Sequence, residues 1–178
     1  MALLLYVDNS NTWIEGKRVS AVSKGMALSI YDAMNARILD NDYRIDFGKL
    51  YTFLAGSETP KVAELFGSRP PENDSIWDTA RRVGFTVRLT DRNFANKEKK
   101  VDTGIVARMM KDAYKTCNKE EDTIILVAGD KDFVPAVEEL LSDGYKVKVA
   151  FWNHAASELH SSGTAFINLD PHLSSLKY

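Results

Sequence analysis

The chain reads as an α/β protein: a single-domain, three-layer sandwich around a mainly parallel sheet. Three observations predict it. Short apolar runs, Leu3-Leu4-Leu5-Tyr6-Val7 and Thr123-Ile124-Ile125-Leu126-Val127, have the length of buried strands. Stretches of helical spacing lie between such runs, the rhythm of a sheet covered on both faces. Both runs lead into carboxylates, Asp8 after the first and Asp130 and Asp132 after the second, and ligands of open parallel sheets bind outside the carboxyl ends of the strands.

The elements follow in order. Leu3 to Val7 is the first strand, and Asp8-Asn9-Ser10-Asn11 reads as a polar turn. Met26, Ile30, Ala33, Met34 and Ile38 predict a helix over Met26 to Leu39. A second helix covers Asp46 to Leu54, with Asp46 as N-cap and Gly56 as its stop. Lys61 to Phe66 is the second strand, closed by Gly67. Pro70 to Asp74 is a turn, and the helix after it ends at Val83 before Gly84. Phe85 to Leu89 is the third strand and Asp91 to Lys100 a polar loop. Asp102 opens an amphipathic helix to Thr116, with Ile105, Val106, Met109, Met110 and Ala113 on its apolar face. The fourth strand is Thr123 to Val127. A helix over Phe133 to Leu141 tolerates Pro135 in its first turn. Tyr145 to Phe151 and Ala165 to Leu169 complete the strands. If Asp8 and Asp130 share a site, the first and fourth strands are neighbours and the order is 3-2-1-4-5.

Composition narrows the class. The 178 residues are 44% hydrophobic and 27% charged, with net charge −2, values of an ordinary globular chain. No apolar run approaches the ~20 residues of a membrane span, so no membrane partner is expected. Met1 to Val7 lacks the pattern of a secretory signal, and the sole cysteine, Cys117, excludes an intramolecular disulfide. A cytoplasmic location is expected. Arg88, Arg92, Lys97, Lys99 and Lys100 cluster before Asp102, a patch suited to a phosphate backbone, with a solvated loop as the plainer reading.

The chemistry rests on the acids. Carboxylates converging at one sheet edge repel one another unless a cation joins them, and Mg²⁺ or Mn²⁺ suits an all-oxygen set. Asp8 and Asp130 are the expected ligands, Asp102 and Asp132 complete the ring, and Asn11 orients water or a carboxylate; Asn9 and Ser10 shape the turn. Each acid also has a plain role, since Asp caps helices and occupies turns. His154, His160 and His172 lack metal-ligand spacing and read as local hydrogen-bonding residues. Of the tryptophans, Trp13 alone sits beside the expected site. No Walker lysine or GxGxxG is present.

Tyr6-Val7-Asp8-Asn9-Ser10-Asn11, Lys100-Val101-Asp102 and Leu126-Val127-Ala128-Gly129-Asp130-Lys131-Asp132-Phe133 together resemble the NYN domain, a branch of the PIN-like metal-dependent ribonuclease fold. The tail, Ala156-Ser157-Glu158-Leu159 and Phe166-Ile167-Asn168-Leu169, is similar to the LabA-like group. The resemblance implies an Mg²⁺- or Mn²⁺-dependent (endo)ribonuclease acting on RNA phosphodiesters, with Asp8, Asp102, Asp130 and Asp132 as its acidic site. The stretch from Trp13 to Asp46 is longer than the family's usual connection, which implies an insertion or lid within 13–46. Thr103-Gly104 departs from the pattern by placing two poor helix formers after Asp102. Two rivals stand beside this reading. One is a non-catalytic RNA- or protein-binding regulator on the same fold, working as a homodimer. The other is a haloacid-dehalogenase-like phosphatase, disfavoured because Ser10 stands where that family places a second acid.

Overall fold

β1 (Leu3–Asp8) alternates its side chains between two cores, Leu5 and Val7 to one side and Leu4 and Tyr6 to the other, all buried. The computed structural model in which this is seen describes residues 2–68, 75–90 and 97–178, without the side chains of 75 and 97–100. After β1 come α1 (Asn9–Ser23), α2 (Ile30–Asn35) and α3 (Phe47–Ala55), then β2 (Val62–Ser68), α4 (Ser75–Arg82) and β3 (Thr86–Thr90). The second half runs α5 (Lys97–Lys115), β4 (Thr123–Val127), α6 (Val134–Ser142), β5 (Lys146–Phe151), α7 (Ser157–Ser162) and β6 (Ala165–Asn168). The sheet has six strands in the order β3-β2-β1-β4-β5-β6, and every neighbouring pair is parallel. The order inferred from the carboxylates therefore holds, with β6 added at the edge and the topological switch between β1 and β4.

Period-two alternation makes the three layers. Ile125 and Val127 join Leu5 and Val7 in a core with Leu50, Trp77 and Trp152, while Ile124 and Leu126 join Leu4 and Tyr6 in a second core with Ile105, Met109 and Val137. The second core is covered by the apolar face expected of α5, whose Val101, Ile105, Met109 and Ala113 are buried. Asp46 caps α3 through Oδ1, which accepts from the amides of Gly48 and Lys49 at 2.8 and 3.0 Å. Gly84 ends the turn after α4 at φ 115°, a left-handed conformation that disfavours other residues.

Four elements differ from the sequence expectation. The polar turn at Asn9 to Asn11 is the first turn of α1. This helix buries Asn9, Thr12, Gly16, Ser20 and Ala21, small or polar residues that leave no apolar period to detect. Its contact is close: a Cβ at Gly16 would lie 2.7 Å from the Trp152 ring and 2.9 Å from that of Tyr43, and Trp152 Nε1 donates to the Thr12 carbonyl at 2.9 Å. The helix expected over Met26 to Leu39 shrinks to α2, capped by Ser29 and followed by Arg37 at φ 55°, where a helix cannot continue. Met26 and Met34 have helical spacing but stay 48% and 43% exposed. Asp102 does not open its helix: α5 begins at Lys97, because lysine and glutamate are strong helix formers however loop-like their polarity looks. A 3-10 turn, Lys131–Phe133, precedes α6, with Pro135 in the helix's first turn as expected.

Candidate metal centre

Three elements bring the aspartates to the carboxyl edge of β1 and β4. Asp8 ends β1 and caps α1, its Oδ1 accepting from the Asn11 amide at 3.1 Å. Asp130 follows β4 and caps the 3-10 turn, its Oδ1 accepting from the Asp132 amide at 3.0 Å. Asp102 comes from the second turn of α5, and Val101 beside it is buried under the sheet. One carboxylate oxygen from each of Asp102, Asp130 and Asp132 lies within 4.8 Å of the others.

Asp8, expected as a ligand, is not one of this trio and is buried, 4% exposed. Its carboxyl is pushed up to about 7, first by burial and further by the charges of Asp102 and Asp130, against the lowering effect of the Asn11 and Ser10 amides. The plain cap roles and a ligand role are compatible, since a carboxylate has more acceptor sites than the cap bonds to Oδ1 of Asp8 and Asp130 use. An all-carboxylate donor set with like charges crowded together fits a hard divalent cation of the Mg²⁺ or Mn²⁺ kind.

The remaining expectations divide. Asn11 lines a groove of about 280 Å³ together with Asp130, Lys131 and Met34. Arg88 turns away from a substrate role: its Nε and Nη2 donate to Glu64 at 2.5 and 2.9 Å. The side chains of Arg92, Lys97, Lys99 and Lys100 lie outside the described residues. Trp13 packs against the first core with Lys17 Nζ 4.6 Å from its ring centroid. Gly104 sits inside α5, where a Cβ would meet Phe66 at an ordinary 3.8 Å, so packing does not demand glycine there. His160 contacts the Asn153 carbonyl and His172 lies against Phe53, the local roles expected. His154 is different. It lines the groove beside Asp130 and pairs with Glu15. Glu15 was invisible to sequence reasoning because the helix that carries it was.

A parallel sheet in this order, with acids gathered at its switch point, defines a PIN-like α/β fold, the fold of a nuclease class. A family model of the NYN domain matches residues 13–170, and the chain belongs to the NYN domain family. The match takes in Asp102, Asp130 and Asp132; Asp8 and Asn11 precede it. A crystal structure of a protein of unknown function, VPA0982 from Vibrio parahaemolyticus RIMD 2210633, is similar over 99% of this chain and 96% of that one, at TM-score 0.70 and 16% identity. That likeness shows the fold. No curated protein matches the chain. Among the described residues no helix is long and apolar enough to cross a membrane.

Proposed function

We propose that this protein is a ribonuclease dependent on Mg²⁺ or Mn²⁺, hydrolysing RNA phosphodiesters at a site made by Asp8, Asp102, Asp130 and Asp132. The observation that carries the reading is the convergence of three carboxylates within 4.8 Å near a buried fourth, on the edge where open parallel sheets bind ligands. Asp102, Asp130 and Asp132 would hold the cation, with Asp8 holding its waters or a share of its coordination. When bound, the cation would neutralise charge on the phosphoryl oxygens and make water a competent nucleophile near neutral pH.

The chain's own residues do the rest. Asp8, buried and near enough to Asp102 and Asp130 to feel their charges, can accept a proton from the attacking water. Asn11, in the same groove as Asp130, orients that water through its amide. Lys97, Lys99 and Lys100, with Arg92, supply counter-charge for the RNA backbone. The likeness of the tail to the LabA-like group supports a reading in that branch, and we read residues 1–178 as one domain.

The test is incubation of the purified protein with labelled structured and unstructured RNA in Mn²⁺, Mg²⁺ or EDTA. Cleavage in either metal and none in EDTA is expected. Tight binding with no cleavage in either metal would leave a regulator in place of the enzyme.

A further inference from the structure

The groove running from Asp130 has a chemistry of its own. Asn11 and Glu15 line it from α1, one turn and about 6 Å apart. From the loop after β5, His154 brings Nε2 to 2.7 Å from Glu15 Oε2. Neither side chain is free to swing, being 13% and 15% exposed. Burial raises the Glu15 carboxyl, but bonds from His154 and Arg18 outweigh it and hold the group below its ordinary value. An ionised carboxylate only accepts, so Nε2 carries the hydrogen between them. Nδ1 is then the ring nitrogen left for a ligand, and it has no hydrogen-bond partner among the described residues.

That gives one wall of the groove two carboxylates and two further hydrogen-bonding side chains. Glu15 and Asp130 line it with carboxylates, and His154 and Asn11 add side chains that can pair with a hydroxyl as acceptor or donor. Arg18 is engaged with Glu15, which leaves Lys131 as the cation of the lining. A phosphate laid along this wall is repelled, whereas a hydroxyl finds partners. In RNA the hydroxyl available next to each phosphate is the ribose 2′-OH, the group that separates RNA from DNA.

We propose that His154, fixed by Glu15, is a specificity residue that hydrogen-bonds the ribose 2′-hydroxyl beside the scissile phosphate and so selects RNA over DNA. The placement of that phosphate rests on the ribonuclease reading above. His154 is a substrate-contacting residue, and Glu15 is a positioning residue that acts through it.

The experiment uses the full chain with Mn²⁺, an RNA oligonucleotide and a series of the same sequence carrying one 2′-deoxy nucleotide at each position in turn, read by both binding and cleavage. For the unaltered protein, one position should weaken binding several-fold, up to about tenfold, the size of one hydrogen bond. In His154→Ala that penalty should vanish while the all-RNA strand loses the same factor. His154→Gln, which keeps a hydrogen-bonding group, should restore part of it, and it decides the matter if His154→Ala fails to fold. Melting temperatures of the variants separate a structural role, which weakens every oligonucleotide alike. An unchanged deoxy penalty in the variants, or indifference of the unaltered protein to every deoxy position, overturns the assignment. Absence of cleavage in any metal removes the ribonuclease reading instead, and the binding series still decides the role of His154.

Discussion

Two groups of carboxylates, each with a buried acid from the sheet, are balanced in opposite ways. Glu64 and Asp112, 2% and 4% exposed, meet guanidinium groups from the chain itself. Arg88 grips Glu64 with two bonds, and Arg108 Nε lies 2.7 Å from Asp112 and 3.1 Å from Glu64. The Tyr6 hydroxyl donates to Asp112 at 3.0 Å. Two residues further along β1, Asp8 is held by backbone amides, and the carboxylates of Asp102 and Asp130 act on it with its own sign. Burial of an acid is thus not in itself a sign of a metal. What distinguishes the strand ends is that the charges pressing on the buried acid are like charges.

The comparison breaks first on activity. Asp130→Asn keeps the cap, since Asn caps about as well as Asp, yet metal-dependent cleavage of RNA should fall by orders of magnitude while RNA binding largely survives. Gel assays with labelled RNA in Mn²⁺ check this, and near-normal cleavage would return Asp130 to a turn residue. In the balanced group the loss should be of stability instead. Arg108→Met leaves buried Asp112 without a guanidinium while Glu64 keeps Arg88, and should cost about 3 kcal/mol, visible in urea melts, with the Mn²⁺-induced shift in Tm unchanged. A changed metal response there would mean the two groups are one site.

The next difference is in pH. Folding raises the Asp8 carboxyl from its ordinary value of 3.8 to about 7, so the native protein holds a proton that the unfolded chain releases. That contribution is complete below the unfolded value and is lost as pH rises from about 4 to about 7, by a few kcal/mol at most. Without metal, stability should therefore fall over this window, and Asp8→Asn should flatten the fall. Stabilisation by Mn²⁺ should grow through the same window, because the ligating form is the carboxylate. Melts at several pH values with and without EDTA read both effects. The smallest effect belongs to the basic segment. Replacing Lys97, Lys99 and Lys100 by Ala should weaken RNA binding and lower its salt slope by up to about two units; an unchanged slope would make them solvated surface.

Much of this was legible from residue patterns alone, and the gaps have physical causes. Continuous apolar runs located β1 and β4, and acids after both runs implied that they are neighbours, which they are. Asp46 and Gly56 marked both ends of α3 because capping is local chemistry. The first helix escaped because its buried face is Asn9, Thr12, Gly16, Ser20 and Ala21, chosen for close approach to Tyr43 and Trp152 rather than for hydrophobicity. With α1 unseen, Glu15 could not be placed against His154, a residue 139 positions away. The reverse error occurred at Met26 and Met34, where helical spacing occurs without burial. The start of α5 was missed because polarity was read as loop in a run of helix-forming lysines.

The most direct measurement of the central claim is a thermal melt of the unaltered protein and of Asp130→Asn, each with Mn²⁺ and with EDTA. A ligand stabilises the native state only in proportion to its binding there. The metal-free variant should be at least as stable as its parent, because one of several crowded charges is gone, and its Mn²⁺-induced rise in Tm should be much reduced. Equal rises in the two proteins would contradict the account and take Asp130 out of the metal site.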